Sequence, residues 1–329
     1  MANTGSFLFA ELTEKEILAV VMSVYPDAVV LSYELCHGGL FNTTYKISLF
    51  RDQEEKDYIL RVGPIRPELL MGYEHDMMKT EKEVFSILKN HGIPVSEVVC
   101  LNTERTVINR EFMLVEYIES VPLSSADLSS EDKCRLEEEL GRQLRKMHGI
   151  TMNSYGRATD VLYGKAHSDY FSSIFSEVND LCCKLTERDF FTKEEATFVL
   201  RSVKKHESIL ATKEPPCLCH GDMWSGNVLV QKKDDKWTLA AIIDVDRAYF
   251  GDVDFDLGNP WILSDAFLSG YGVTRESLEV RERKIKREIA AMIYFLIEAY
   301  VWHAQYNNLQ YASNGKKAAL EKATWLNNI

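Results

Sequence analysis

No stretch of this chain approaches the ~18 to 20 uninterrupted apolar residues that a membrane span needs. The N-terminus also lacks the basic segment followed by an apolar one that marks a secretory leader. The expectation is a cytoplasmic protein with no membrane partner. Cationic excess is missing too: 38 Lys and Arg stand against 50 Asp and Glu, a formal net charge of −12. That balance argues against nucleic acid, which wants a basic surface. It leaves room for a nucleotide, whose charge can be met locally, and it suits a cationic small partner. Paired cysteines are absent. The seven cysteines, at 36, 100, 134, 182, 183, 217 and 219, form no C-x-x-C spacing of the kind that signals zinc or a disulfide framework. The one-residue gap between Cys217 and Cys219 suits burial of one side chain better than metal ligation. Repeats, low-complexity tracts and long linkers are lacking as well.

What is present is ordinary globular material: 46% hydrophobic and 27% charged residues over a length of 329, enough for two lobes that each build a core. Thr13-Glu14-Lys15-Glu16 has the capping-box form, and Ile17, Val20, Val21 and Val24 follow at helical spacing until Pro26. Val29 to Leu35, Tyr45 to Phe50 and Tyr58 to Val62 read as strands, the first two separated by the Gly38-Gly39 turn and the last two by a charged turn over residues 51–57. A helix is expected over Lys79 to Leu88, then strands Val95 to Leu101 and Phe112 to Ile118. This predicts an antiparallel sheet with one inserted helix in residues 1–115, a connector at 116–120, and a larger lobe at 121–329. From Ser129 the pattern turns helical, with Leu136, Leu140, Leu144 and Met147 on one stripe; Phe171 to Leu185, Lys193 to Leu210 and a long helix through Ile285, Ile289, Met292, Ile293, Leu296 and Tyr300 follow.

One non-helical stretch interrupts that lobe. Cys219-His220-Gly221-Asp222-Met223-Trp224-Ser225-Gly226-Asn227 leads into the apolar run Val228-Leu229-Val230, and a second run, Leu239 to Ile243, ends in Asp244-Val245-Asp246. The polar turn Lys232 to Lys236 between them predicts a β-hairpin that brings Asn227 near Asp244. A carboxylate to take a proton, with an Asn/Asp pair to hold a divalent cation, is the minimal equipment for moving a phosphoryl group.

His220-Gly221-Asp222 with Asn227, then Ile243-Asp244, Gly251-Asp252 and Asp256-Leu257, resembles the aminoglycoside phosphotransferase and choline kinase family, whose fold is similar to that of protein kinases. Gly38-Gly39 with Asn42 and Tyr45, Leu60-Arg61, the acidic helix at 81 and the Glu116 to Leu123 connector fall in family order. The resemblance implies an α+β, bilobal protein-kinase-like fold, ATP or GTP as phosphoryl donor, and Mg²⁺. It makes Asp222 the catalytic base and Asn227 and Asp244 the metal ligands. His220 is expected to shape the loop by hydrogen bonding, and Asp256 to cap a helix start and tie that loop down. On the nucleotide side it points to Gly38, Gly39 and Asn42 near the phosphates, Arg61 in place of the protein-kinase strand lysine, and Glu81 as its carboxylate partner, with Glu83 as competitor. The carbonyl of Glu116 and the amide of Ile118 would meet the base.

The acceptor is implied to be a small molecule, cationic by the acidity of the chain, of the aminoglycoside or amino-sugar type. A ketosamine, choline, homoserine or thioribose kinase is the alternative, and a binding-only pseudokinase the alternative of another class. Trp224 resembles the ketosamine kinase loop, whereas the residues after Asp244 resemble the antibiotic and choline kinase branch. Trp224 and Asp246 are the named acceptor-side candidates, with Asp252, Asp254, Glu282, Glu288 and Glu298 as further acidic groups, and Tyr294, Tyr300, Trp302, Tyr306 and Tyr311 as an aromatic wall. No Asp-Phe-Gly or Ala-Pro-Glu triplet is present, and the short span from Asp244 to Asp256 leaves no activation segment, so a protein kinase is disfavoured. Quaternary state is left between monomer and homodimer.

Overall fold

A computed structural model describes residues 5–36, 41–211, 214–259 and 261–329. The N-terminal region is a five-stranded antiparallel sheet in the order β1-β2-β3-β5-β4, formed by β1 (Val29–Leu35), β2 (Thr43–Arg51), β3 (Glu54–Val62), β4 (Val98–Asn102) and β5 (Phe112–Glu116). Helix α1 (Glu14–Val24) carries the reciprocal Thr13/Glu16 capping box and lays Ile17, Val20 and Val21 on Tyr45, Ile47, Leu49, Leu60 and Val62. Helix α2 (Met77–Asn90) packs on the opposite side through Val84, Phe85 and Leu88. Between β2 and β3 the expected seven-residue turn shrinks to two residues, Asp52 and Gln53, both at positive φ. The charged residues Glu54 to Lys56 are strand, because the exposed end of a hairpin needs backbone pairing and no apolar side chains.

A two-residue strand, β6 (Val121–Pro122), begins the helical part and pairs with a hairpin made of β9 (Val228–Lys233) and β10 (Lys236–Ile242), turned by Asp234-Asp235. A second small sheet is β7 (Gly156–Arg157), β11 (Tyr249–Gly251) and β8 (Cys217–Cys219), with β11 in the centre. Cys217 and Cys219 are both buried, with sulfurs 3.8 Å apart, so the expectation that only one would be buried is corrected. Strand β8 has core on both faces: the cysteines face one cluster and Leu218 the other.

Around these sheets stand α3 (Ser130–Met147), α4 (Tyr170–Glu187), α5 (Lys193–Lys204), α6 (Arg281–Tyr300) and α7 (Leu309–Asn328). The helix expected over 193–210 breaks after Lys204, where His206 turns its Nε2 to the carbonyl of Leu326 at 2.8 Å. The terminal segment is a helical pair: α6 ends in a wide turn, Val301–Gln305, closed by a bond from Tyr306 N–H to Val301 O at 3.0 Å, and α7 returns along it. No helix of the described residues is long and apolar enough to cross a membrane.

Candidate active site

The cleft between sheet and helices opens into a cavity of about 980 Å³. Asn42, Arg61, Glu116, Ile118, Asp222, Trp224, Asn227, Asp244 and Asp246 all line it, so residues spread over some two hundred positions of sequence meet there. Gly38 and Gly39 lie outside the described residues.

The loop that carries Asp222 is held by the main chain rather than by its own carboxylate. Asp256 accepts the N–H of His220 at 2.7 Å and that of Gly221 at 2.8 Å, and His148 Nε2 stands 3.0 Å from the same carboxylate. It sits inside the short helix Asp254–Leu257, whose cap is Val253, so it ties down the loop but caps nothing. Burial pushes the Asp256 carboxyl up, and the hydrogen bond of His148 and the Gly221 N–H are among the effects that outweigh it, leaving it below the usual carboxylate range. His220 is fully buried; its Nδ1 accepts the N–H of Asp222 at 3.2 Å and its Nε2–H reaches the carbonyl of Ile243 at 3.0 Å. One imidazole thus joins the loop of Asp222 to the strand end before Asp244. Gly221 is at φ +80°, and a Cβ there would come within 2.1 Å of the carbonyl oxygen of Arg247.

Asn227 donates Nδ2–H to the carbonyl of Asp222 at 2.9 Å, which directs its Oδ1 away from that bond. The N–H of Ile243 bonds the carbonyl of Asn227 at 3.0 Å, setting Asp244 beside it. Asp244 adopts the left-handed conformation, φ 63°, with 40% of its side chain exposed. Its Oδ1 lies 3.0 Å from Arg61 Nη2. The other fork of Arg61 pairs with Glu81, fully buried on α2. Between the two acidic candidates on that helix, it is Glu81 that makes the pair; Glu83 makes no contact with Arg61. Burial works against the Arg61 cation, yet Glu81, Asp244 and Asp246 hold its pKa above the ordinary value. Burial likewise lifts Glu81 to about 7 against the pull of Arg61. Asn227 and Asp244 offer hard oxygen donors at the cavity wall, a set that fits Mg²⁺ better than a softer metal.

Asp246 stands with this group. Burial first, then Asp244 and Glu81, push its carboxyl well up. Trp224 folds back so that its ring covers Gly226, where a Cβ would meet the indole at 2.2 Å, and remains 43% exposed at the cavity. Of the acidic set expected on the acceptor side, Glu298 lines the cavity with Asp246, whereas Asp252 and Asp254 are spent on Lys286 and Arg283, Glu288 pairs with Lys322, and Glu282 is on the surface. Of the aromatic set, Tyr294, Trp302 and Tyr306 line it; Tyr300 is buried against the carbonyl of Leu69, and Tyr311 packs outside on Trp302. Sequence reasoning passed over Arg247, Glu74, Trp261 and Gln305, which also line the cavity. No spacing rule reaches Glu74 and Gln305, whose side chains bond each other at 2.7 Å across 231 residues.

The sequence model of the phosphotransferase enzyme family matches residues 32–284. The chain belongs to that family. This phosphotransferase shares its fold with a fructosamine-3-kinase-like protein from Thermobifida fusca YX-ER1 (TM-score 0.66, 17% identity, 94% of this chain and 100% of that one). It is similar in the same way to the aminoglycoside phosphotransferase APH(2″)-IIia in its complex with GDP and kanamycin (TM-score 0.65, 14% identity, 96% and 100% covered). A thermostable mutant of aminoglycoside phosphotransferase APH(4)-Ia in its apo form follows (TM-score 0.66, 13% identity, 95% and 99% covered). No curated protein shows significant sequence similarity to the chain. The protein-kinase-like bilobal fold expected from the sequence is the fold of this phosphotransferase.

Proposed function

We propose that this phosphotransferase moves the γ-phosphate of ATP or GTP to a hydroxyl group of a small molecule, with Asp222 as base and Asn227 and Asp244 as the residues that hold Mg²⁺. The observation that carries the reading is the pairing of Asn227 Nδ2 with the Asp222 carbonyl. It binds the base and a metal ligand into one rigid unit, and the His220 imidazole links that unit to the strand before Asp244. Arg61, held by Glu81, supplies a fixed cation for the donor phosphates. Asn227 and Asp244 would hold Mg²⁺, which would supply positive charge to neutralise what develops on the donor phosphates. The acceptor hydroxyl oxygen then bonds to the γ-phosphorus as its proton passes to Asp222, and the nucleoside diphosphate leaves with the electrons of the broken P–O bond.

For the acceptor, Trp224, Tyr294, Trp302 and Tyr306 with Glu298 make an aromatic wall with an acidic group. That chemistry supports a cationic, polyhydroxylated acceptor of the amino-sugar or aminoglycoside type, since ring faces and a carboxylate both favour an ammonium group. Kanamycin in the complex of the similar APH(2″)-IIia is such a molecule. A ketosamine acceptor is the second reading, favoured by Trp224 within the catalytic loop. The test is release of nucleoside diphosphate from ATP and from GTP across aminoglycosides, ketosamines, choline, homoserine and thioribose sugars. Asp222→Asn serves as the control: an acceptor-dependent signal that survives in that variant overturns the assignment.

A further inference from the structure

The cavity holds one cation for which the transfer described above has no use. Arg247 Nη1 lies 3.5 Å from Asp222 Oδ2, with side chains 17% and 18% exposed. The main chain of Arg247 is fixed from two sides. Its carbonyl accepts Arg157 Nη1–H at 2.8 Å, Arg157 itself being buried and locked on Glu177, and the same carbonyl presses against Gly221. Burial works against the charge of the guanidinium, and acidic groups of the same cavity wall, Asp222 first and then Asp246 and Glu298, help to outweigh it. Arg61 is held by Glu81 and Asp244 and, in the reading above, serves the donor phosphates rather than the Asp222 side of the cavity. The catalytic loop has no cation of its own, since only Met223, Trp224, Ser225 and Gly226 separate Asp222 from Asn227.

That arrangement answers an electrostatic problem. The γ-phosphoryl group is anionic and must approach a hydroxyl held by a carboxylate, and like charges a few ångströms apart in a poorly solvated cleft repel strongly. An acceptor oxygen within about 3 Å of Asp222 is within about 7 Å of Arg247 Nη1, given the 3.5 Å separation between the two side chains. The base and the reacting oxygen therefore lie within about 7 Å of one guanidinium that cannot lose its proton, close enough for its charge to act on both.

We propose that Arg247 is an arginine acting in cis at the transfer step: its guanidinium faces the acceptor oxygen and the γ-phosphoryl group on the Asp222 side and offsets the repulsion between carboxylate and phosphoryl group. The inference rests on the phosphotransferase reading above. Its chemistry adds no proton transfer. The acceptor oxygen–phosphorus bond forms, the bond to the β,γ-bridging oxygen breaks with its electron pair leaving on the diphosphate, the hydroxyl proton goes to Asp222, and Arg247 stays charged throughout.

The test uses water as acceptor: steady-state ADP release from saturating MgATP by the wild-type chain and by Arg247→Met, Arg247→Lys, Arg247→Ala and Asp222→Asn, with ATP affinity and melting temperature recorded for each. Arg247→Met is expected to lose about 10³ to 10⁵ in turnover, the range of an arginine supplied to a phosphoryl transition state, with ATP affinity unchanged within about threefold. Arg247→Lys should retain more turnover than Arg247→Met, and methylguanidine should restore part of the turnover of Arg247→Ala, a rescue that a merely structural role would not give. Turnover of Arg247→Met equal to wild type overturns the inference alone, as does an Arg247→Ala variant that melts cooperatively, binds ATP normally and gains nothing from methylguanidine. If Arg247→Met fails to fold, Arg247→Lys decides: a lowered turnover at unchanged ATP affinity supports the role, and an unchanged turnover overturns it. A wild-type chain that binds MgATP and releases no ADP, either to water or to any acceptor of the panel above, overturns the phosphotransferase reading itself, and the inference with it.

Discussion

Arg61 on β3 reaches Asp244, 183 residues later in the chain, with Nη2 3.0 Å from Oδ1, while its other nitrogen stays on Glu81. One guanidinium thus ties the sheet, helix α2 and the end of the β9–β10 hairpin together. Replacing Arg61 by Met leaves Glu81 buried without its cation, an arrangement that costs on the order of 3 kcal/mol. The expected outcome is a clear drop in melting temperature and at least a tenfold weaker affinity for MgATP. Arg61→Lys should recover part of both, because a point charge can serve one of the two carboxylates but cannot fork between them. Calorimetric melting and nucleotide titration check this; an Arg61→Met chain with wild-type affinity would exclude Arg61 from the phosphate site.

Asn227→Ala and Asp244→Ala are expected to shift the Mg²⁺ concentration for half-maximal ADP release upward and to lower the maximal rate by orders of magnitude. Asn227→Ala should do both while also loosening Asp222, since its amide holds the Asp222 carbonyl. Unchanged metal dependence in both variants would mean that neither residue is a ligand.

Gly221→Ala tests the seating of the loop. The substitution puts a Cβ at positive φ and within 2.1 Å of the Arg247 carbonyl oxygen, which is backbone that Arg157 holds in place. Loss of on the order of 2 to 4 kcal/mol of stability, or of most of the activity if the loop shifts instead, is expected. A variant with wild-type melting and turnover would show that the loop has room the structure denies.

Glu74 gives a pH dependence whose sign can be worked out. It is buried between the segment before α2 and the wide turn after α6, bonded by Met71 N–H and Gln305 Nε2–H at 2.7 Å each, and burial raises its pKa from 4.5 to about 7. Because the folded state holds the proton more tightly than the unfolded state, stability is full below about pH 4.5 and declines as pH rises through about 7. Glu81 shifts in the same direction. Glu74→Gln should therefore flatten the fall in melting temperature between pH 5 and 8, by the equivalent of roughly 2 kcal/mol, while leaving the Glu81 share in place. Parallel wild-type and variant profiles would rule Glu74 out as the source.

Much of the fold was written in local pattern. The capping box at Thr13, the apolar alternation of the N-terminal strands and the apolar stripe of α3 each act over a few residues, so sequence alone determined those elements and their types. The order of motifs from Arg61 to Asp256 determined the family in the same way, because it depends on residue identity along the chain. Boundaries were less legible. The turn at Asp52-Gln53, the break after Lys204 and the return helix α7 depend on pairing and packing with partners far along the chain. Which side chains line the cavity beyond Asp222 was decided only by tertiary structure. Nothing in the local sequence distinguishes Glu298, which faces the cavity, from Asp254, which faces Arg283, or marks Arg247 as the neighbour of Asp222. A charged side chain acquires its role from whichever opposite charge folding brings within a few ångströms, and that distance is set by the packing of whole helices.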